Sequence, residues 1–339
     1  MPDEAGRSAA TKAPPGKLLA TDLVDIYRVM VLSRVLDERV WLLNRQGKAA
    51  IVASAQGHEA AQAACVRATD PSRDHYLIYY RELTTLLALG VTPLELLKGF
   101  LARAGEPLSG ARQFPTHGAF GRVDLFSFSN VVGTQLPQAV GVALADRMRG
   151  EPRVTIVYFG DGAASQGDCH EAMNFAAVHR LPVVFFCENN RYAISVPLMK
   201  QMAIENVAAR AAAYGMPGVT VDGTDVWAVY EATDAAVKRA RSRGGPALIE
   251  AMVERLYPHT SDDDHTRYRS PEDIQRMRSK DPLPLLEAEL RKQRLLDDAT
   301  HAGIWAQAKR TVDEATEQAE ATPFPDAGDF ARGVYAAGS

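Results

Sequence analysis

The sequence predicts an α/β fold, a parallel sheet flanked by helices. Four short apolar runs, at 154–159, 183–187, 218–222 and 247–253, have the length and residue types of strands, and helical segments separate several of them. Alternation of this kind implies parallel strands covered by helices. The bulk composition agrees: of 339 residues, 46% are hydrophobic and 24% charged, enough apolar material for a sizeable core.

In chain order, residues 1–17 contain no hydrophobic core and read as a flexible tail. Over 21–44 the apolar positions Leu23, Ile26, Tyr27, Met30, Leu42 and Leu43 recur mostly at helical spacing, and Thr21 or Asp22 is placed to cap the start. Further helices are expected at 59–68, 81–89, 93–103 and 134–149, with a polar, glycine-bearing loop at 103–121. After Tyr268 the chain reads as helical again, at 283–294 and 302–319. No repeat, low-complexity tract or linker divides it, so 18–325 is expected to be one domain with helical N- and C-terminal segments, followed by a second tail at 326–339.

Charge and cysteine content narrow the function. A formal charge of −4 and a pI near 6.1 argue against a nucleic-acid or anionic-membrane surface. No apolar run approaches the ~18 residues a membrane span needs. Cys65, Cys169 and Cys187 are odd in number and lack a Cys-x-x-Cys spacing, which fits a reducing cytoplasm and no zinc site. Asp3 and Glu4 disfavour a mitochondrial transit peptide, although the mitochondrial matrix stays open for a processed chain.

The chemistry concentrates in GDGAASQGDCHEAMNFAAVHRLPVVFFCENNRYAIS, residues 160–195. It reads as strand, glycine-rich turn, helix, strand, turn. A right-handed crossover puts the two strands parallel in one sheet, so Asp161 and Asn190 fall just beyond strand ends on the same edge. Gly160 and Gly162, with Ala163 after them, allow the backbone to approach a phosphate, and the following helix offers its unpaired amides. Asp161 would then face that phosphate, and two anions repel unless a divalent cation lies between them. Magnesium, which takes about six oxygen ligands, would be met by the Asp161 carboxylate, the Asn190 amide oxygen, the Tyr192 carbonyl, two phosphate oxygens and water.

Asn190 lies 29 residues after Asp161 (190 − 161), in an Asn-Asn pair closing a hydrophobic strand. That combination resembles the thiamine-diphosphate enzymes. Beyond it, LDERVWLLNRQGK, AQGHEAAQ, YYRE, TQLPQAVGVALA and PHTSDDDHTRYRS extend the resemblance from about Leu18 to Pro325, to the alpha subunit of branched-chain 2-oxoacid dehydrogenase, with the pyruvate dehydrogenase alpha subunit a close relative. The SDDD element and the NFAAV…CENNRYAIS wording lean towards the branched-chain group.

The resemblance implies a thiamine-diphosphate-binding fold and several residue roles. Tyr80 and Arg81 would contact the cofactor, the arginine forking onto its diphosphate. Val132 would add to the cofactor contacts, and His259 would hold phosphate and manage protons during acyl transfer. His117 resembles a second active-site histidine. Ser129, Thr134 and Gln135 resemble a potassium-binding, cofactor-supporting loop, although this chain has Ser129-Asn130-Val131 where the family pattern reads Ser-Ser-Pro. Glu188 stands where some members carry an arginine, and the acidic run Asp262 to Asp264 reads as a solvated loop. Thr260 occupies the place of a hydroxyl phosphorylated in animal relatives.

The implied reaction is decarboxylation of a 2-oxoacid, with transfer of the acyl group to the lipoyl arm of an acyltransferase core. The glutamate facing the aminopyrimidine ring belongs to a beta subunit in this family. The chain would therefore build half a site and pair as an alpha2-beta2 heterotetramer. The residues oppose two rival readings. A nicotinamide oxidoreductase is opposed by Ser165 in place of the third glycine of Gly-x-Gly-x-x-Gly, by Asp161 against a pyrophosphate, and by an idle Asn189-Asn190 pair. A catalytically silent assembly or regulatory subunit is opposed by intact Asp161, Asn190, Arg81 and His259.

Overall fold

The computed structural model describes residues 18–126, 130–329 and 331. Five parallel strands form one sheet: β1 (His75–Leu77), β2 (Thr155–Gly160), β3 (Val183–Asn189), β6 (Gly218–Asp222) and β7 (Ala247–Met252), in the order β1-β2-β3-β7-β6. β4 (Tyr192–Ala193) and β5 (Val196–Pro197) form a small antiparallel pair directly after β3. The helices are α1 (Ala20–Arg45), α2 (Glu59–Arg67), α3 (Leu83–Ala88), α4 (Pro93–Phe100), α5 (Gln135–Arg149), α6 (Gly167–Val178), α7 (Leu198–Gln201), α8 (Val226–Arg241), α9 (Pro271–Ser279), α10 (Pro282–Lys292) and α11 (Asp298–Ala321). The predicted parallel sheet covered by helices is what the chain forms.

The period-two alternation of the central strands sorts their side chains into two layers. Ile156 and Tyr158 of β2, Val184 and Phe186 of β3, and Ile249 of β7 enter one core with α1, α2, α8 and α11. Val157 and Phe159, Val183, Phe185 and Cys187, and Leu248 enter the other, against α5 and α6. Both faces are thus dry, which explains why these strands read as nearly continuous apolar runs. Gly160 pairs in register with Glu188, so β2 and β3 end within one residue of each other and release Asp161 and Asn190 from the same C-terminal edge.

Local expectations fail where a special residue or cap intervenes. Neither Thr21 nor Asp22 caps α1: Leu19 holds the cap position, and Asp22, three residues on, accepts its N–H at 2.8 Å. α4 stops at Phe100 rather than 103 because Ala102 is left-handed (φ 51°). The helix expected from 81 starts at Leu83, leaving Arg81 in a turn. α11 begins earlier than read, at Asp298, where the Asp297 carboxylate accepts from the Thr300 N–H at 2.7 Å. A three-residue 3-10 turn, Ala163–Ser165, separates Gly162 from α6. The backbone immediately after the glycines therefore belongs to that turn and not, as expected, to the long helix.

Candidate active site

Beyond the C-terminal ends of β2 and β3 lies a cavity of about 320 Å³. Of the residues singled out in the sequence, it gathers Tyr80, Arg81, Val132, Gln135, Gly160, Gly162, Ala163, Asn190, Tyr192 and His259 in its lining. Asp161 lies in the adjoining turn, 1% exposed. The two glycines behave differently. A Cβ on Gly162 would come within 3.0 Å of the Ala193 Cβ, a tight contact from which Ala193 would have to yield. A Cβ on Gly160 would meet nothing closer than 3.9 Å. Its missing side chain therefore serves open space at the cavity, which a ligand backbone approach would use.

Asp161 is a buried carboxylate with no ion pair among the described residues. Gln201 donates Nε2–H to it at 2.9 Å, and burial pushes its carboxyl up to about 6. Asn190 is also buried; its Oδ1 accepts from the Tyr192 N–H at 3.2 Å. Two oxygen-bearing side chains thus sit at the same dry sheet edge, one of them an anion lacking a cation. That donor set fits a hard divalent ion. The Tyr192 hydroxyl is committed elsewhere, donating to Asp273 at 2.9 Å, which leaves its backbone carbonyl as the only candidate ligand from that residue.

A positive cluster adjoins the same cavity, with Arg81 and His259 in its lining. Arg81, 1% exposed, donates through Nη1 to the Ser54 carbonyl at 2.7 Å and through Nη2 to the His259 carbonyl at 3.2 Å. It makes no ion pair with a described residue, so its buried charge lacks an anion. Arg255, fully buried, donates to the Ile194 carbonyl (2.9 Å) and the Tyr268 hydroxyl (2.7 Å); burial and then Arg81 push it down to about 10. Both guanidinium groups also approach Nδ1 of His259 at 3.3 Å. Arginine only donates, so Nδ1 must accept and Nε2 carries the imidazole proton. Burial, Arg81 and Arg255 together push His259 down to about 3, keeping it neutral near pH 7.

Other expectations fare unevenly. His117 is buried and does not line the cavity; its Nδ1 approaches the Pro115 carbonyl at 3.0 Å. The neighbouring Thr116 hydroxyl donates to the Tyr80 carbonyl at 2.9 Å, tying that loop to the site. Thr134 donates its hydroxyl to the Val131 carbonyl, and Gln135 donates Nε2–H to the Tyr158 carbonyl at 3.0 Å. Ser129, the remaining member of the potassium group, lies outside the described residues. Glu188 turns away from the cavity and binds the Tyr79 hydroxyl (2.7 Å) and His58 Nδ1 (2.8 Å). Within the acidic run, Asp263 is more than solvated: it accepts from the His259 N–H at 2.7 Å and the Tyr268 hydroxyl at 2.5 Å, clamping the histidine loop. Arg255 and Gln201 escaped the sequence reading. A basic residue closing the apolar run before His259 was the available signal for Arg255; Gln201 gave none.

The family described as "Dehydrogenase E1 component" matches residues 27–328. The chain is 47% identical over 303 residues to the 2-oxoisovalerate dehydrogenase subunit alpha of Bacillus subtilis, covering 89% of this chain and 92% of that one. It is 40% identical over 315 residues to a 3-methyl-2-oxobutanoate dehydrogenase subunit alpha of Mycobacterium tuberculosis, covering 92% and 82%. A pyruvate dehydrogenase E1 component subunit alpha of Bacillus subtilis is 39% identical over 314 residues, covering 92% and 82%.

Proposed function

The chain belongs to the dehydrogenase E1 component family, and on that premise we propose that it is the alpha subunit of the decarboxylating component of a branched-chain 2-oxoacid dehydrogenase. The observation that carries the site assignment is the meeting at one cavity of two buried charges without an ion pair to a described residue, the Arg81 guanidinium in its lining and the Asp161 carboxylate in the turn adjoining it. A diphosphate bridged by magnesium is the chemistry that would satisfy both, since the metal takes the carboxylate and the phosphates take the arginine. Thiamine diphosphate, when bound, supplies the electron sink for loss of carbon dioxide from a 2-oxoacid.

This chain's residues supply the rest. Asp161, Asn190 and the Tyr192 carbonyl would hold the magnesium; Gly160, Gly162 and Ala163 would admit the phosphates; Tyr80, Arg81 and Val132 would contact the cofactor. His259, neutral with its proton on Nε2, donates a hydrogen bond into the cavity, and a bound anion would raise its proton affinity and let it serve acyl transfer. His117 acts from the adjoining loop. Thr134 and Gln135 would belong to a potassium group whose third member, Ser129, lies outside the described residues. Residues 18–325 act as one domain, whose missing aminopyrimidine-facing glutamate comes from a beta subunit in an alpha2-beta2 heterotetramer, and the acyl group passes to a lipoyl acyltransferase core. Residues of the beta chain share in choosing the oxoacid.

Within Bacillus subtilis, identity to the subunit named for 2-oxoisovalerate, 47%, exceeds the 39% to the one named for pyruvate, and favours the branched-chain reading. The test is a substrate panel on the chain reconstituted with its beta partner, magnesium and thiamine diphosphate. A higher kcat/KM for branched-chain 2-oxoacids than for pyruvate supports the assignment. Preference for pyruvate would move the chain to the pyruvate group.

A further inference from the structure

The opposite edge of the sheet carries a second, unrelated cavity, of about 410 Å³, lined by Arg147, Arg153, Arg180, Arg241 and Arg243, with Glu151 as its one acidic lining residue. Three helices end here, each just before the strand it feeds: α5 before β2, α6 before β3, and α8 before β7. Each ending passes through a left-handed residue, Gly150 (φ 76°), Arg180 (φ 48°) and Arg243 (φ 64°). Arg153 is paired with Asp124 and Arg241 with Asp74, at 2.8 and 2.7 Å. Arg147, Arg180 and Arg243 make no ion pair with a described residue.

Part of this has an ordinary explanation. Arg147 and Arg241 lie in last helical turns, where a cation offsets the carbonyl end of the helix. Arg180 and Arg243 do not. They stand past the last turn, in a conformation that suits glycine, as Gly150 shows at the third helix end. Ala102 and Arg294 are left-handed past α4 and α10 as well, so the conformation marks no site by itself; what directs charge at a ligand is that Arg180 and Arg243, with Arg147, line one concavity without an ion pair to a described residue. Guanidinium forks match phosphate oxygens two at a time, and several forks around one pocket match a run of phosphates better than a single carboxylate. The pocket falls in the size range of small-molecule sites, about 300–1,000 Å³.

We propose that this arginine-lined cavity at the N-terminal edge of the sheet binds a small molecule bearing two or more phosphates. It lies at the end of the sheet remote from Gly160 and Asn190, and its argument does not depend on the function assigned to that end.

The test is calorimetric titration of the full chain with inorganic tripolyphosphate at low salt, in an Arg81→Gln background that removes the buried cation lining the cavity at the other end of the sheet. Adding Arg180→Gly and Arg243→Gly deletes two charges while giving the backbone the residue it favours, so folding is retained. Saturable binding in the Arg81→Gln chain, weakened at least about tenfold by the two glycines, supports the proposal. Absence of saturable binding, or equal binding with the glycines in place, overturns it. A polyglutamate peptide is titrated in parallel; tighter binding of the peptide than of tripolyphosphate would assign the surface to an acidic protein partner and equally overturn it.

Discussion

Nη2 of Arg81 lies 3.3 Å from Nδ1 of His259, a donor facing a ring nitrogen that must accept. With Arg255 on the same atom at the same distance, the imidazole is fixed in one tautomer and denied a second proton. Its depressed proton affinity has three causes, burial first and then the two arginines, with Asp263 opposing. Arg81→Gln removes one of them. Titrated by NMR in the chain alone, His259 should stay neutral down to about pH 3, and its midpoint should move upward in the variant. An ordinary midpoint near 6.5 in the unaltered chain would contradict the geometry.

The linkage for His259 has a definite sign. A base whose folded pKa is lowered leaves the folded state short of protons, so its contribution is fully present above the unfolded value near 6.5 and declines as pH falls towards about 3. Asp161 has the reverse arrangement. Its folded value, about 6, exceeds the ordinary 3.8, so stability falls as pH rises from about 4 to about 6 and stays reduced above that. Asp161→Asn should therefore stabilise the metal-free chain at pH 7 to 8 by up to about 3 kcal/mol, at about 1.4 kcal/mol per pKa unit, with little change below pH 4. Thermal melting across pH reads this. The same variant should lose magnesium-dependent thiamine-diphosphate binding; retained metal-dependent affinity would remove Asp161 from the site.

Much of this site is legible in the sequence, because Asp161 and Asn190 are fixed by where two apolar strands stop, and strand ends follow from patterning. Arg81 and His259 come only from the resemblance of short motifs; nothing in local periodicity places a turn residue 178 positions from a loop histidine within 3.3 Å of it. Arg255 and Gln201 were missed for a related reason: their roles come from partners distant in the chain. β1 was missed because three residues carry no period, and it becomes a strand only by pairing with β2. The short 3-10 turn after Gly162 is likewise set by local backbone geometry that the glycine-rich wording shares with an immediate helix start.

Glu188 gives a structural prediction. Its carboxylate accepts from the Tyr79 hydroxyl and from Gln62 Nε2, and pairs with His58, all in the dry interior. Glu188→Ala would strand these partners and should cost roughly 2–4 kcal/mol of stability, read by chemical denaturation. An unchanged unfolding midpoint would mean that water replaces the carboxylate.

Gly57, inside the AQGHEAAQ motif, is held at φ 98°, where a Cβ would come within 1.9 Å of the Glu254 carbonyl oxygen. That backbone contact ties the start of α2 to the segment leading into Arg255. Gly57→Ala should displace the segment, lowering both the melting temperature and thiamine-diphosphate affinity. A variant with unaltered values for both would show that the motif has no such role.

As proposed, this chain holds the magnesium and diphosphate half of a shared site. Oxoacid-dependent reduction of an artificial electron acceptor, with magnesium and thiamine diphosphate present, tests it most directly when the alpha chain alone is compared with its mixture with the cognate beta chain. Turnover should appear only in the mixture, whereas comparable turnover by the alpha chain alone would contradict the half-site account.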